Sequence, residues 1–297
     1  MRHDVLYSAH PAVSGLFFLI VLLITMCVQH PLCIAFSLLG AALYDASLHG
    51  GRAVLRKLPG YLAVFVLTAV INPAFQHQGV TVLAYLPSGN PLTLESILYG
   101  FNAAGLLSAV LVWFSCVQTV FTSDKLLHLT GRAAPAVSLV ISMTLRFVPR
   151  LRRQASAVSA ARRGMGIAGD GSRLSRMRDG LRTLSVLLTW SLENALETGD
   201  SMRARGYGLP KRTSFSPAVW SARDRGIFAW LLFAGAYVLF GGAAGGFSWK
   251  FYPAVRGTPL CALNISFFVV FAALCLTPFI LNRWEVRKWK QRLTSGT

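Results

Sequence analysis

The chain has 297 residues, of which 54% are hydrophobic and 13% are charged, and its formal net charge is +18. Together with a mean hydropathy of +0.53, this composition excludes an ordinary soluble globular domain and predicts an integral membrane protein. The five cysteines form no Cys-x-x-Cys pair, so they indicate neither a disulfide framework nor a metal site and are expected to fill apolar space.

The N-terminal block, residues 1–121, contains three long runs without Asp, Glu, Lys or Arg: Pro11 to Tyr44, Leu58 to Leu94 and Ser96 to Ser123. A membrane-spanning helix needs about 20 apolar residues. The first run is long enough for a hairpin of two spans, broken at Gln29-His30-Pro31, where proline removes a backbone donor. We therefore predict four spans, at about 12–29, 31–46, 59–76 and 97–121. The second is short enough to be tilted or re-entrant.

The middle block, residues 122–226, is rich in arginine and contains no run that is long and apolar enough to cross a membrane with certainty. Apolar or small residues recur at helical spacing in two stretches and predict two amphipathic helices. The first stripe comprises Phe147, Leu151, Ala155, Val158 and Ala161. The second comprises Leu181, Leu184, Leu188, Leu192, Ala195 and Met202. These apolar faces are expected to lie on lipid, on each other or on a partner protein.

Proline and glycine set the expected limits of these two helices. Pro149 lies near the start of the first stripe and predicts a bend or a first-turn proline rather than an uninterrupted helix. Glycine adopts the left-handed conformation that ends helices without steric strain. The expected stops are Gly164, Gly166 and Gly169 for the first helix, and Gly206, Gly208 and Pro210 for the second.

The C-terminal block, residues 227–297, contains two further charge-free runs, which predict spans at about 227–247 and 261–281, and a basic tail. The predicted fold class is therefore all-α, a polytopic membrane protein with about six transmembrane helices and long amphipathic cytoplasmic helices. Basic loops stay on the cytoplasmic side during insertion. Cytoplasmic termini leave only Lys250 and Arg256 outside, so the net charge reflects topology and attraction to the lipid bilayer rather than binding of nucleic acid.

Each amphipathic stripe ends in a short arginine motif, Arg162-Arg163-Gly164 in the first and Ala204-Arg205-Gly206 in the second. Arginine presents a planar fork of donors that can bridge carboxylates or helix-end carbonyls of a partner. The following glycine stops the helix and lets a partner backbone approach closely. A single surface arginine is usually only solvated, but two such motifs at two helix ends indicate docking on another protein.

The same region resembles the signature of a known family. The segment Leu145-Arg146-Phe147-Val148-Pro149, continuing through Gln154 to Ala161-Arg162-Arg163-Gly164, resembles the first signature helix of the transmembrane T component of energy-coupling factor (ECF) transporters. Ser191-Leu192-Glu193, followed by the run from Asp200 to Gly208, is similar to the second. Two positions depart from the family pattern: Arg203 stands where an acidic residue is frequent, and the run from Ala9 to Val13 only partly resembles the usual Asp-Pro-Arg start.

The resemblance implies a function. A T component is a transmembrane scaffold and coupling subunit of an ABC importer, located in the prokaryotic plasma membrane, whose two arginine motifs dock on a pair of ABC ATPase subunits. A small membrane S component binds the cargo, a vitamin or a transition-metal ion. The chain is therefore expected to be no enzyme and to hold no cofactor, because ATP and magnesium are bound by the partner ATPases. Its sequence also lacks a phosphate-binding Gly-x-x-x-x-Gly-Lys-Ser/Thr loop.

Two other functions make different demands on the sequence. A self-contained secondary transporter of a small solute needs polar groups near the bilayer midplane, and a membrane enzyme acting on lipids needs acids, bases or metal ligands. The sequence offers little of either. Asn72, Asn102 and Gln118 are the most notable polar residues within or beside the spans, and hydrogen bonding between helices is their expected role.

Overall fold

The structure is a computed structural model that describes residues 4–85, 91–166, 172–209, 220–257 and 261–295. Contacts divide the chain into two compact units, residues 1–126 with 218–297, and residues 127–217. The domain limits expected from composition, at residues 121 and 226, stay a prediction.

The described residues form ten helices and two small antiparallel hairpins. In chain order the helices are α1 (Val5–Ser8), α2 (Pro11–Cys27), α3 (Pro31–His49), α4 (Gly51–Phe75), α5 (Leu94–Val120), α6 (Ser123–Ala133), α7 (Pro135–Gly164), α8 (Arg173–Ala204), α9 (Ala222–Ala243) and α10 (Ala262–Ser295). The strands are β1 (Val82–Tyr85) with β2 (Pro91–Thr93), and β3 (Trp249–Lys250) with β4 (Arg256–Gly257). The predicted all-α class is confirmed.

Each of the six predicted spans corresponds to one helix. Within the described residues, five helices are long and apolar enough to cross a membrane, namely α3, α4, α5, α9 and the first 26 residues of α10. Helix α2 is apolar but only 17 residues long. The second span is not short as expected, because α3 continues for 19 residues to His49. The chain is a multi-pass membrane protein.

The predicted break between the first two spans is confirmed and has a local cause. Helix α2 ends at Cys27, and α3 begins at Pro31, where the missing proline N–H costs nothing because the first helical donors lack intrahelical partners. His30 caps α3 by accepting a hydrogen bond from Leu32 N through Nδ1 at 3.2 Å. Asn102 Nδ2 on α5 donates to the carbonyl of Gln29 at 3.0 Å. This bond links a helix to the turn, whereas a bond between two helices was expected.

The membrane unit has a continuous core formed by α2, α3, α5, α9 and α10. At its centre Trp113 is fully buried, and its ring lies 5.7 Å from that of Phe17 in an edge-on arrangement. The indole Nε1 donates to Ser37 Oγ at 2.9 Å, and Ser37 in turn bonds Thr25 Oγ1 at 2.8 Å. The polar atoms of Trp113, Ser37 and Thr25 are therefore paired with each other, as an apolar surrounding requires.

Candidate coupling helices and their arginine tips

The arginine motifs lie at the ends of α7 and α8, which belong to the second unit. The expected start of the first helix near Phe147 is wrong. Helix α7 begins at Pro135 and runs for 30 residues with Pro149 in its interior. Its first three turns, 135–146, carry no charge before Arg146 and continue the helical pattern. The helix therefore tolerates one lost backbone hydrogen bond at Pro149.

As predicted, both helices are followed by a glycine in the left-handed conformation. Helix α7 ends at Gly164, and Gly166 takes the left-handed conformation with φ of 71°. Helix α8 ends at Ala204, and Gly206 takes φ of 79°. There Tyr207 N donates to the carbonyl of Met202 at 3.0 Å, which is the backbone bond of a Schellman-type end. Gly208 is also left-handed, whereas Gly169 and Pro210 lie outside the described residues.

Helices α7 and α8 pack as an antiparallel pair. The Phe147 ring stacks on the Trp190 ring with centroids 5.9 Å apart, and the Arg150 guanidinium lies 5.2 Å from the Trp190 centroid. Near the other end of the contact, Arg162 meets Asp179. Because the chain directions oppose, the two arginine motifs lie at opposite ends of the pair. At 1.5 Å per residue, the distance along α8 from Asp179 to Arg205 is about 40 Å.

Arg162 is bonded within the pair. Its Nη2 lies 2.5 Å from Asp179 Oδ1, and its Nη1 donates to the Asp179 carbonyl at 2.8 Å and to Thr183 Oγ1 at 3.4 Å. Only 14% of the Arg162 side chain is exposed. The structure thus gives this residue an internal partner on α8, so Arg162 holds the last turn of α7 in place.

Arg163 and Arg205, which we call the arginine tips, point outward instead. Both residues are exposed. Arg163 Nε has only a long contact of 3.4 Å to the carbonyl of Ser159 in its own helix. Among the residues that the structure describes, the Arg205 guanidinium has no hydrogen-bond or ion-pair partner. Apart from its neighbours in the chain, no residue in the described ranges has an atom within 4 Å of a Cβ added at Gly164.

The two predicted apolar stripes have different surroundings. On α7, Phe147, Leu151, Ala155 and Val158 are half-buried. On α8, the inward face is formed by Asp179, Thr183, Leu187 and Trp190, which recur at helical spacing and include the contacts to α7. The predicted leucine stripe of α8 lies on the opposite face and is more than half exposed: Leu181 58%, Leu184 51%, Leu188 56% and Leu192 68%. The pair therefore leaves an apolar face of α8 uncovered.

A charged cluster in the membrane unit was missed by sequence analysis. Asp45 on α3 is fully buried, and its Oδ1 lies 2.8 Å from His49 Nδ1 and 3.5 Å from Lys57 Nζ on α4. Lys57 Nζ also donates to Ser115 Oγ on α5 at 2.8 Å. The cluster ties α3, α4 and α5 together. Its charges are matched internally, and the only sequence signal was that Asp45 ends the first charge-free run.

These features define a class: a polytopic α-helical membrane protein with an antiparallel pair of amphipathic helices and an exposed arginine at each outer end. Comparison with known proteins narrows the class. No family model matches the chain. The energy-coupling factor transporter transmembrane protein EcfT of Exiguobacterium sibiricum is 24% identical over 199 residues, which cover 64% of this chain and 76% of the relative. EcfT of Lactobacillus helveticus is 36% identical over 90 residues, 30% of this chain and 32% of the relative.

A third similarity is to a longer protein. The putative ABC transporter ATP-binding protein of Bifidobacterium longum is 25% identical over 254 residues, which cover 80% of this chain but only 31% of that protein. The resemblance inferred from the sequence is thus confirmed. The chain is similar to the transmembrane protein EcfT of energy-coupling factor transporters.

Proposed function

We propose that this chain is the transmembrane coupling subunit of an ECF-type ABC importer, in which Arg163 and Arg205 dock on two ABC ATPase subunits. The observation that carries the proposal is the difference between neighbouring arginines. Arg162 is bonded to Asp179, whereas Arg163 and Arg205 are exposed at opposite ends of the α7–α8 pair. Two separated cationic tips suit two binding sites on a dimeric partner better than one site on a single partner.

The chemistry of the tips favours acidic or carbonyl-lined grooves on the ATPases. A guanidinium makes charge-assisted, bidentate hydrogen bonds to carboxylates, and it reaches helix-end carbonyls equally well. Removing one partner of a buried, hydrogen-bonded charge pair costs on the order of 2 to 5 kcal/mol at an interface. Loss of either arginine is therefore expected to weaken ATPase binding by more than tenfold.

The Bifidobacterium longum relative supports ATPases as partners. That protein is named as an ATP-binding protein, and a segment of it matches most of this chain while two thirds of it lie outside the match. A membrane segment of this kind and an ATP-binding function thus occur in one polypeptide. In the present protein we assign ATP and magnesium to separate ATPase subunits, since its sequence has no phosphate-binding loop.

We further propose a small membrane S component as the cargo-binding partner and a vitamin or a transition-metal ion as the cargo. Both termini are assigned to the cytoplasm of a prokaryotic cell, because that orientation places nearly all basic residues on the inner side of the plasma membrane. Reporter fusions at the C-terminus and in the 77–93 segment test the orientation. Activity of an export-dependent reporter at the C-terminus would reverse it.

The central experiment is affinity purification of the tagged chain from its native membrane, followed by mass spectrometry of the intact complex. Arg163→Ala and Arg205→Ala should each reduce the recovery of two ATPase subunits and abolish most uptake. Arg152→Ala is the matched control, because Arg152 is an exposed arginine on α7 away from the tip. Full ATPase recovery and full uptake by both tip variants would refute the docking role. Solute transport by the lone chain in liposomes would instead establish a secondary transporter.

A further inference from the structure

The polypeptide passes twice between the membrane unit and the α7–α8 unit, at residues 126–127 and 217–218. On the membrane side, the residues flanking both passages contact the same short segment, residues 4–14, which comprises α1 and the start of α2. We call this segment the N-terminal clasp. Each of the contacts described below joins residues of the membrane unit.

Beside the first passage, Lys125 contacts the clasp. It lies one residue before the end of the first segment of the membrane unit, residues 1–126. Its Nζ donates to the Leu6 carbonyl at 2.6 Å and to Ser14 Oγ at 3.1 Å, and it lies 5.6 Å from the centroid of the Tyr7 ring. Ser14 Oγ itself donates to the Leu6 carbonyl at 2.8 Å. A charge-assisted network of this kind fixes the start of α6 on the clasp.

After the second passage, Trp220, the first described residue, and Arg223 contact the clasp. The Trp220 ring stacks on the ring of His10 with centroids 4.3 Å apart and an interplanar angle of 23°. His10 is 6% exposed and also caps α2 by accepting from Ala12 N. Arg223 Nη2 donates to Ser8 Oγ at 3.4 Å, and Arg223 is paired with Glu285 on α10. The start of α9 is thus fixed on the clasp as well.

The clasp is itself anchored in the core of the membrane unit. Val5, Leu6 and Val13 are buried, with 2% of Val5, 1% of Leu6 and none of Val13 exposed. Asp4 caps α1 by accepting from Tyr7 N at 3.1 Å, and it accepts from the Tyr44 hydroxyl of α3 at 2.8 Å. The clasp therefore connects Lys125, Trp220 and Arg223 to α2 and α3.

We infer that the N-terminal clasp is a positioning element: it fixes the residues on the membrane side of both passages to the membrane helices, so that movement of the α7–α8 unit is transmitted into them. Lys125 and Trp220 are the positioning residues. The transmission part of this inference rests on the proposed function. The anchoring part does not, because it concerns contacts within the chain alone.

Anchoring is tested by hydrogen–deuterium exchange of the full chain in lipid nanodiscs. The double variant Lys125→Met with Trp220→Leu should raise the exchange rates of residues 4–14, 122–126 and 220–226 by about tenfold or more and leave α5 unchanged. The conservative variants Lys125→Arg and Trp220→Phe should restore slow exchange. Asp124→Asn and Arg225→Gln, which change exposed neighbours, are the matched controls. Unchanged exchange in the double variant would overturn the inference.

Transmission is tested in the intact complex by the amount of cargo taken up per ATP hydrolysed. The double variant should keep its ATPase subunits but lose at least half of this ratio, whereas Arg163→Ala loses the ATPases themselves. If exchange rises and the ratio stays constant, the clasp does not transmit movement, and the proposed docking function is unaffected. If the arginine variants keep their ATPases, the proposed function fails, and the exchange experiment alone decides whether the clasp anchors the passages.

Discussion

Substitution of Arg162 by methionine should destabilise the last turn of α7, whereas the same substitution of Arg163 should weaken ATPase binding instead. Arg162 bonds the carboxylate and the carbonyl of Asp179 with 14% of its side chain exposed, and the Asp179 side chain is 30% exposed. Exposed ion pairs contribute about 0.2 to 1 kcal/mol, and breaking a fully buried pair costs about 3 to 5 kcal/mol. This partly buried pair lies between those limits. We expect a coupling free energy of about 1 to 2 kcal/mol in a double-mutant cycle.

The measurement is the free energy of local opening of the last turn of α7, obtained from native-state hydrogen exchange of residues 158–164. The cycle comprises Arg162→Met, Asp179→Asn and the double variant, each in the full chain. Arg163→Met is the matched control: it should leave the opening free energy unchanged and weaken ATPase binding. A coupling free energy near zero, or an equal loss of protection in Arg163→Met, would show that the two arginines do not have separate roles.

Three further predictions concern the membrane unit. Gly40→Ala should destabilise the chain by about 1 to 3 kcal/mol, because the added Cβ would lie 2.8 Å from Cys275 Cβ. The control Gly60→Ala, with nothing within 4 Å of its Cβ, should be neutral or slightly stabilising. Thermal unfolding of both variants in micelles measures the difference. Burial lowers the pKa of Lys125 from 10.5 to about 8, so between these values the unfolded chain binds more protons. The unfolding free energy should therefore rise with pH in this window relative to Lys125→Met, and a parallel pH profile would contradict this. Asp45→Ala should lower the unfolding free energy by about 2 kcal/mol or more, since it removes the fully buried carboxylate that pairs with Lys57, whereas an unchanged denaturation midpoint would mean that the cluster has no net effect.

The membrane helices were predictable because their signals are local. A run without charges must be buried in lipid or protein, and proline at the first helical position marks a helix start wherever it occurs. The sequence thus placed the break before Pro31, and the predicted span limits agree with the helix limits to within a few residues for α2, α3 and α5. By contrast, α10 continues to Ser295 rather than ending near residue 281, and α4 begins earlier than predicted. That helix begins at Gly51 rather than near residue 59, since Pro59 is accommodated within it. The expected start rested on the charge-free run after Lys57, but the helix also includes Arg52, Arg56 and Lys57 in its first turns.

Side-chain partners were less predictable because they depend on how helices pack. The leucine stripe of α8 suggested a buried face, yet the face toward α7 is formed by Asp179, Thr183, Leu187 and Trp190. Its mixed composition has a weak apolar periodicity, so no pattern of hydrophobicity identifies it. Asp179 likewise gave no sign of binding Arg162, since the two are brought together only when the chain reverses between α7 and α8.

The two tips reach a similar outward geometry by different means. Successive residues of an α-helix are rotated by about 100°, so when Arg162 turns toward α8 its neighbour Arg163 must point elsewhere, here outward. In the second motif the corresponding neighbour is Ala204, which has no polar side chain to bond. The end of α8 is set instead by its backbone, through the left-handed Gly206 and the bond from Tyr207 N to the Met202 carbonyl. An ion pair therefore orients the first arginine and a glycine turn orients the second, which explains why the residue before each exposed arginine differs while the glycine after it does not.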